Sequence, residues 1–155
     1  MGEIKFRGKS IETGKMVYGS LINNLFYDTK TKQPICYIVD PSIGEYSSFD
    51  EVEDIAIEVE PESIGQYTEV HDDEEGNEIY NGDIVEIIHE ERLLRCYVKY
   101  EGSGFMLVSD ELEDGYVWMS DLIECDRSYF WIPDARVIGN IYENPELLEE
   151  GVSKV

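Results

Sequence analysis

The chain has 155 residues, 42% of them hydrophobic, with eleven Tyr, five Phe and two Trp, enough large apolar side chains to offset the ordering entropy of one domain or of two small lobes. Thirty-five acidic against twelve basic residues give a formal charge of -23, which disfavours direct nucleic-acid binding, because that affinity comes from cations that displace counterions from phosphate. The same field repels an anionic membrane, no apolar run approaches the roughly 20 residues that span a bilayer, and the start, Met1 to Ser10, lacks the apolar run of a signal peptide; a cytoplasmic protein is expected.

Taken in chain order, the segments alternate with period two and are separated by Gly, Asn, Asp and Pro, the pattern of antiparallel sheet. Ile4-Lys5-Phe6-Arg7 places apolar side chains on one face and cations on the other. Strands follow over Lys15 to Ile22 and Ile35 to Val39, then Ile55 to Glu60 with Ile55, Ile57 and Val59 inward. Glu75-Gly76-Asn77 suits a hairpin between Gln66 to Thr68 and Glu78 to Tyr80, and Asn81-Gly82 offers a second tight turn. Asp83 to Ile88 is apolar on both faces, as a central strand is. From Leu94 to Tyr100 the even positions Leu94, Cys96, Val98 and Tyr100 are core-like. Gly102-Ser103-Gly104 reads as a hairpin turn, and Phe105 to Val108, Gly115 to Met119 and Val137 to Tyr142 complete the strands. Asn144-Pro145-Glu146 starts a short helix to about Glu150, with an N-cap, a first-turn proline and an acidic first turn. Ser120-Asp121-Leu122 and Ser47-Ser48-Phe49 each suit one turn. The expected fold is all-β, mainly antiparallel, in small barrel-like sheets of SH3-like character by analogy, with one or two short helices.

Charge is unevenly spread. Between Lys32 and Arg92 there is no Lys or Arg, while nineteen acids lie from Asp40 to Glu91. The acidic, Ser-rich stretch Gly44 to Asp54 is the candidate linker between an N-terminal lobe, residues 1–60, and a C-terminal lobe, residues 61–148, with 149–155 as a tail; no internal repeat is evident.

Three runs carry a family resemblance: Glu62-Ser63-Ile64-Gly65-Gln66-Tyr67-Thr68, Gly76-Asn77-Glu78-Ile79-Tyr80-Asn81-Gly82-Asp83-Ile84-Val85, and Val137-Ile138-Gly139-Asn140-Ile141-Tyr142-Glu143-Asn144-Pro145-Glu146-Leu147-Leu148. Together with Ile4 to Arg7 and Lys15 to Ile22, the chain resembles the YopX-like proteins of phages and prophages. It departs from them at Glu69 to Gly76, which is longer and acidic where the family carries a short, Lys-containing run. The resemblance implies an all-β fold and a phage or prophage origin, and it brings no catalytic residue to carry over.

The residues themselves suggest no active site. His71 and His89 sit beside acids and read as solvated, with no nucleophile placed against either. Cys36, Cys96 and Cys125 lie too far apart to share a metal by local spacing and read as buried hydrophobes of a reducing compartment. Aligning Gly76 with the glycine of a calcium loop puts Gly82 where a bidentate Glu is required. Gly102-Ser103-Gly104 lacks the ending of a phosphate loop, and no cofactor or metal is expected. Consecutive strand residues face opposite ways, so Tyr129, Phe130 and Trp131 cannot all be buried on one face; with Tyr97, Tyr116 and Trp118 they form the candidate partner patch.

Three readings remain open. The first is a non-enzymatic module that binds a host or phage protein, with homo-oligomer formation also open. The second is an acidic decoy that mimics nucleic acid and occupies a basic host protein. The third is an enzyme with an unrecognised site. Because the block from Asp40 to Glu91 repels itself within a screening length of about 8 to 10 Å, added sodium chloride is expected to raise the melting temperature of the free protein. A melting temperature that falls with salt would show those acids to be paired or spread further apart.

Overall fold

The computed structural model describes residues 4–40 and 55–153, so the candidate linker Gly44 to Asp54 and the turn Ser47 to Phe49 lie outside the described residues. Strands make up 54% and helices 8% of the described residues, and the fold is all-β. The chain divides into two units, Met1–Gln66 and Tyr67–Val155.

In the first unit, β1 (Phe6–Lys9), β2 (Met16–Tyr27), β3 (Pro34–Val39) and β4 (Ile57–Val59) form an antiparallel meander, and a 3-10 turn follows at Pro61–Ser63. The first residues of β5 (Gly65–His71) then pair back onto β1, Gly65 opposite Arg7 and Gln66 opposite Phe6. Beyond β1 the chain leaves β2 and crosses to β4: Ile11 N–H donates to the Glu58 carbonyl (3.1 Å), Glu60 N–H to that of Lys9 (2.9 Å), and Ser10 bridges Val59. This closes the sheet around Cys36, Ile38 and Val59, against which Phe6, Val17, Leu21, Ile57 and Ile64 pack. Ser63 Oγ pins the 3-10 turn by accepting Lys9 N–H (2.7 Å) and donating to the Glu60 carbonyl (2.6 Å).

Two local details differ from the period-two expectation. Ile4 precedes β1 and is exposed, whereas Arg7 is buried, because β1 is flanked on both sides, by β2 and by the start of β5. In the β2–β3 loop Asp28 accepts the amides of Lys30 (2.8 Å) and Thr31 (3.0 Å). These bonds, that from Thr31 foremost, hold its carboxyl below the usual carboxylate range.

The second unit repeats the path. Its meander is β7 (Asp83–His89), β8 (Arg92–Glu101), β9 (Gly104–Val108) and β10 (Tyr116–Trp118), followed by a 3-10 turn, Met119–Asp121. The returning strand, β13 (Arg136–Asn140), pairs antiparallel with β7, giving the order β10-β9-β8-β7-β13 where the first unit has β4-β3-β2-β1-β5. Each unit therefore follows the same strand order, and Ile64-Gly65-Gln66 and Ile138-Gly139-Asn140 take the same place in each, Gly139 lying opposite Ile84 as Gly65 lies opposite Arg7. A three-residue likeness is too short to register as a sequence repeat. The second unit adds β6 (Glu78–Tyr80) on β5, a hairpin of β11 (Glu124–Asp126) and β12 (Tyr129–Trp131), and a helix, α1 (Glu146–Ser153).

Val85, Ile87, Leu94, Cys96, Val98 and Leu107 bring the inner face of this sheet into a core completed by Val70, Ile79, Leu112, Met119, Ile132 and Ala135. The central position expected for Asp83 to Ile88 is observed, β7 lying between β8 and β13. Tyr100, expected in the core, is exposed and meets Phe105 edge-on instead, since β8 runs past the end of the core there. At the other end, His89 pairs with Arg92, so Glu90 and Glu91 alone make the turn, with φ of 51° and 65°.

Two stability outcomes follow. Gly19 and Gly14 both have positive φ, but a Cβ at Gly19 would run into the backbone carbonyl of Val39 while one at Gly14 meets nothing. Gly19→Ala is expected to cost at least about 2 kcal/mol more than Gly14→Ala, and coincident urea midpoints would refute the packing. The β7–β8 turn needs two left-handed residues, a conformation that Asn-Gly adopts readily and that glutamates resist. Glu90→Asn with Glu91→Gly should therefore stabilise the fold by about 1 to 2 kcal/mol, read as a raised urea midpoint.

Candidate functional site

The aromatic residues picked out by sequence fall into two groups of the second unit. On the five-stranded sheet Tyr97 pairs with Val108, and Val108 with Tyr116, so the three form a row across β8, β9 and β10. Trp118 stands edge-on to Tyr116, ring centres 5.7 Å apart. Tyr129, Phe130 and Trp131 lie on β12, which pairs in parallel with β5 through Phe130–Val70 and Trp131–His71. Phe130 turns to the core, while Tyr129 and Trp131 keep to one side of the strand, 5.9 Å apart.

That side holds a feature the sequence did not disclose. His71, read as a solvated loop residue, is half-buried at the end of β5 and stacks on Tyr129, with ring centres at 4.4 Å and planes at 20°. Its Nδ1 lies 3.1 Å from the Phe130 carbonyl and its Nε2 3.0 Å from Tyr67 Oη. A carbonyl only accepts, so Nδ1 carries a proton, and Nε2 pairs with the Tyr67 hydroxyl. Tyr67 in turn packs on Tyr80 at 5.4 Å, so an aromatic series runs Tyr80, Tyr67, His71, Tyr129, Trp131. Its outermost member, Tyr129, is 45% exposed. The signal was missed because the parallel β5–β12 contact joins residues far apart in sequence.

Asp72, next in the chain, is buried and accepts four hydrogen bonds: from the amides of Glu75 (3.2 Å), Asn77 (2.9 Å) and Val137 (3.0 Å), and from Asn77 Nδ2 (3.3 Å). The acidic loop after His71 is thus an ordered connection between β5 and β6. The family-like runs have equally structural roles. Asn81 Oδ1 accepts Tyr100 N–H (2.9 Å), Gly82 N–H donates to the Val98 carbonyl (2.9 Å) and Asp83 Oδ2 accepts Tyr80 N–H (2.7 Å). Asn140 Oδ1 accepts the amides of Tyr142 (3.0 Å) and Glu143 (2.9 Å), and Asn144 Oδ1 accepts that of Asn140 (3.2 Å). A Cβ on Gly139 would come within 2.6 Å of Asn144 Oδ1, so only glycine leaves that cap in place. Arg95 Nη1 donates to the Leu147 carbonyl (2.9 Å) and Nε to Glu86 (3.3 Å), tying the helix to β8.

The second unit also holds a cleft of about 440 Å³ between β5 and the β9–β10 strands, lined by Val70, Phe105, Trp118, Met119 and Ile123 and by the hydroxyls of Thr68, Ser103 and Ser120. No titratable side chain lines it. Among the described residues no group of three His, Cys, Asp or Glu side chains could hold a metal ion, and no helix is long and apolar enough to cross a membrane.

Fold and surface define an all-β protein with aromatic surfaces and buried, hydrogen-bonded polar side chains at its turns. The model of the family described as YopX protein matches residues 5–149, and the chain belongs to that family. A solved structure, that of protein EF1440 from Enterococcus faecalis, is similar over 94% of this chain and 98% of that one, at 22% sequence identity and a TM-score of 0.49. No curated protein matches the chain significantly.

The cysteines offer a direct check of this packing. Cys36 and Cys96 are buried and Cys125 is exposed on β11. Burial raises the thiol of Cys36, and burial followed by the nearby Glu111 charge pushes that of Cys96 up to about 12. Iodoacetamide near neutral pH should label Cys125 alone in the native protein and all three thiols in urea; native labelling of Cys96 would contradict the core.

Proposed function

We propose that this YopX family member is a non-enzymatic interaction module of phage or prophage origin, acting in the cytoplasm, that binds a host or phage protein through apolar side chains set in an acidic surface. One observation carries the reading. At the tip of β7–β8, Ile88 and Leu93 face each other across the strands while exposed by 54% and 63%. Exposed apolar groups on paired strands are poised for a partner. The Glu90–Glu91 turn beside them holds two residues in a conformation that concentrates at functional sites.

The reading is tested by affinity purification from infected or prophage-induced cells, comparing the natural chain with a variant carrying Ile88→Ser and Leu93→Ser. Reproducible recovery of one protein, lost with the variant while its circular dichroism is unchanged, is expected. Recovery of DNA-binding proteins that competing DNA displaces and the variant retains would favour an acidic decoy instead.

A further inference from the structure

We infer that the cleft between β5 and the β9–β10 strands is a second contact site, which takes an apolar or aromatic anchor side chain from a basic, extended segment of a protein partner. The inference rests on the reading of the chain as a protein-binding module, and adds a location and a chemistry to it. Three observations converge there. The cleft is lined by the apolar side chains of Val70, Phe105, Trp118, Met119 and Ile123 together with Thr68, Ser103 and Ser120, and its volume of about 440 Å³ suits an anchor of one or two side chains. Its floor on β5 is a distorted strand: the β5–β6 register shifts between Tyr67 and His71, and Glu69, between the lining residues Thr68 and Val70, has a φ of 70°. Such bulges re-aim side chains and recur at binding sites. Thr68 is locked by donating to the Ile79 carbonyl (2.8 Å) and accepting Val70 N–H (3.1 Å), so this side of the cleft is formed before any ligand arrives.

Charge selects the occupant. Three acids adjoin the lining in sequence, Glu69, Asp121 and Glu124, the last two exposed, while Glu101, two residues before Ser103, is paired with Lys99 at 3.3 Å. An apolar site ringed in this way rewards a segment whose anchor is flanked by Lys or Arg, and repels an acidic one. A second copy of this chain, with its charge of -23, is the less complementary occupant.

The test uses the full chain labelled with 15N and three pentapeptides: a tryptophan between two pairs of lysines, an alanine in the same setting, and a tryptophan between two pairs of glutamates. The first should move the amide signals of Thr68, Val70, Phe105 and Trp118, bind at least roughly tenfold more tightly than the alanine peptide, and weaken between about 50 and about 500 mM sodium chloride. The glutamate peptide should not bind. Gly104→Val probes the same site, because a Cβ there makes ordinary contact with the Trp118 ring at 3.6 Å and takes up space in the cleft; it should abolish the shifts while signals elsewhere keep their positions. Equal binding of the alanine peptide would reduce the effect to charge alone and overturn the anchor site. Shifts confined to Ile88 and Leu93 would also overturn the site, yet leave the interaction reading standing. Cleft signals that move when the protein alone is diluted would assign the cleft to a second copy and overturn the basic occupant. Failure of the interaction reading itself is seen separately, as a cell extract that yields no partner.

Discussion

A buried carboxylate has to be answered by donors or it destabilises the fold by several kcal/mol, and Asp72 is where the second unit meets that demand. Its two oxygens collect amides from the β5–β6 loop and from Val137 at the start of β13, so one side chain ties the loop to the returning strand. The lacing continues beside it: Asp73 N–H donates to the Ala135 carbonyl (2.9 Å), and its carboxylate accepts Asp134 N–H (2.8 Å). With β13 held, Arg136 reaches Glu86 on β7 (3.3 Å), where Arg95 already sits at 3.3 Å. A loop that looks by composition like self-repelling acid is therefore ordered by the backbone amides it accepts, and the residue before it, His71, is delivered to β12 in a fixed orientation.

The two units show what one path permits with different sequences. In the first, the loop after β1 crosses to β4 and closes the sheet with its own backbone. In the second, β7 stays on β8 until a two-residue turn, so the hairpin tip projects with apolar side chains uncovered. The second unit also inserts the β11–β12 hairpin between the 3-10 turn and the returning strand, which brings Tyr129 and Trp131 against His71. Both departures place exposed aromatic or apolar groups on rigid strands, the arrangement expected of a scaffold that has acquired contact surfaces.

What was legible in the sequence depended on range. Alternation placed Leu94, Cys96 and Val98 inward, and the Asn81-Gly82 and Gly102-Ser103 turns fall where local backbone chemistry put them, Gly82 and Gly102 having φ of 93° and 64°. Asn144-Pro145-Glu146 likewise starts the helix, which continues to Ser153. Local rules failed where a distant strand decided the outcome. Arg7 is buried by strands that flank β1 on both sides, Tyr100 is exposed because the core ends before it, and His71 is half-buried by a parallel partner fifty-nine residues away at Phe130. The shared strand order was hidden for the same reason, since topology is conserved by pairing and leaves only the Ile64-Gly65-Gln66 and Ile138-Gly139-Asn140 likeness in the letters.

In the proposed reading as a protein-binding module, the division of labour between charge and apolar contact follows from magnitudes. Cations of the second unit are largely engaged within it, Arg95 and Arg136 by Glu86, Lys99 by Glu101 and Arg92 by the Glu111 carbonyl at 3.1 Å. The field that a partner meets is consequently that of the acids, which raises the encounter rate of a basic surface and rejects acidic ones. Yet an exposed ion pair contributes only about 0 to 1 kcal/mol once formed, whereas covering what remains exposed of Leu93 or Ile88 contributes about 1 to 2 kcal/mol. On that reading the acids of this surface govern how fast and with whom a complex forms, and the apolar tip and aromatic rows how long it lasts. A change of salt should act mainly on association, and truncation of an apolar side chain mainly on dissociation.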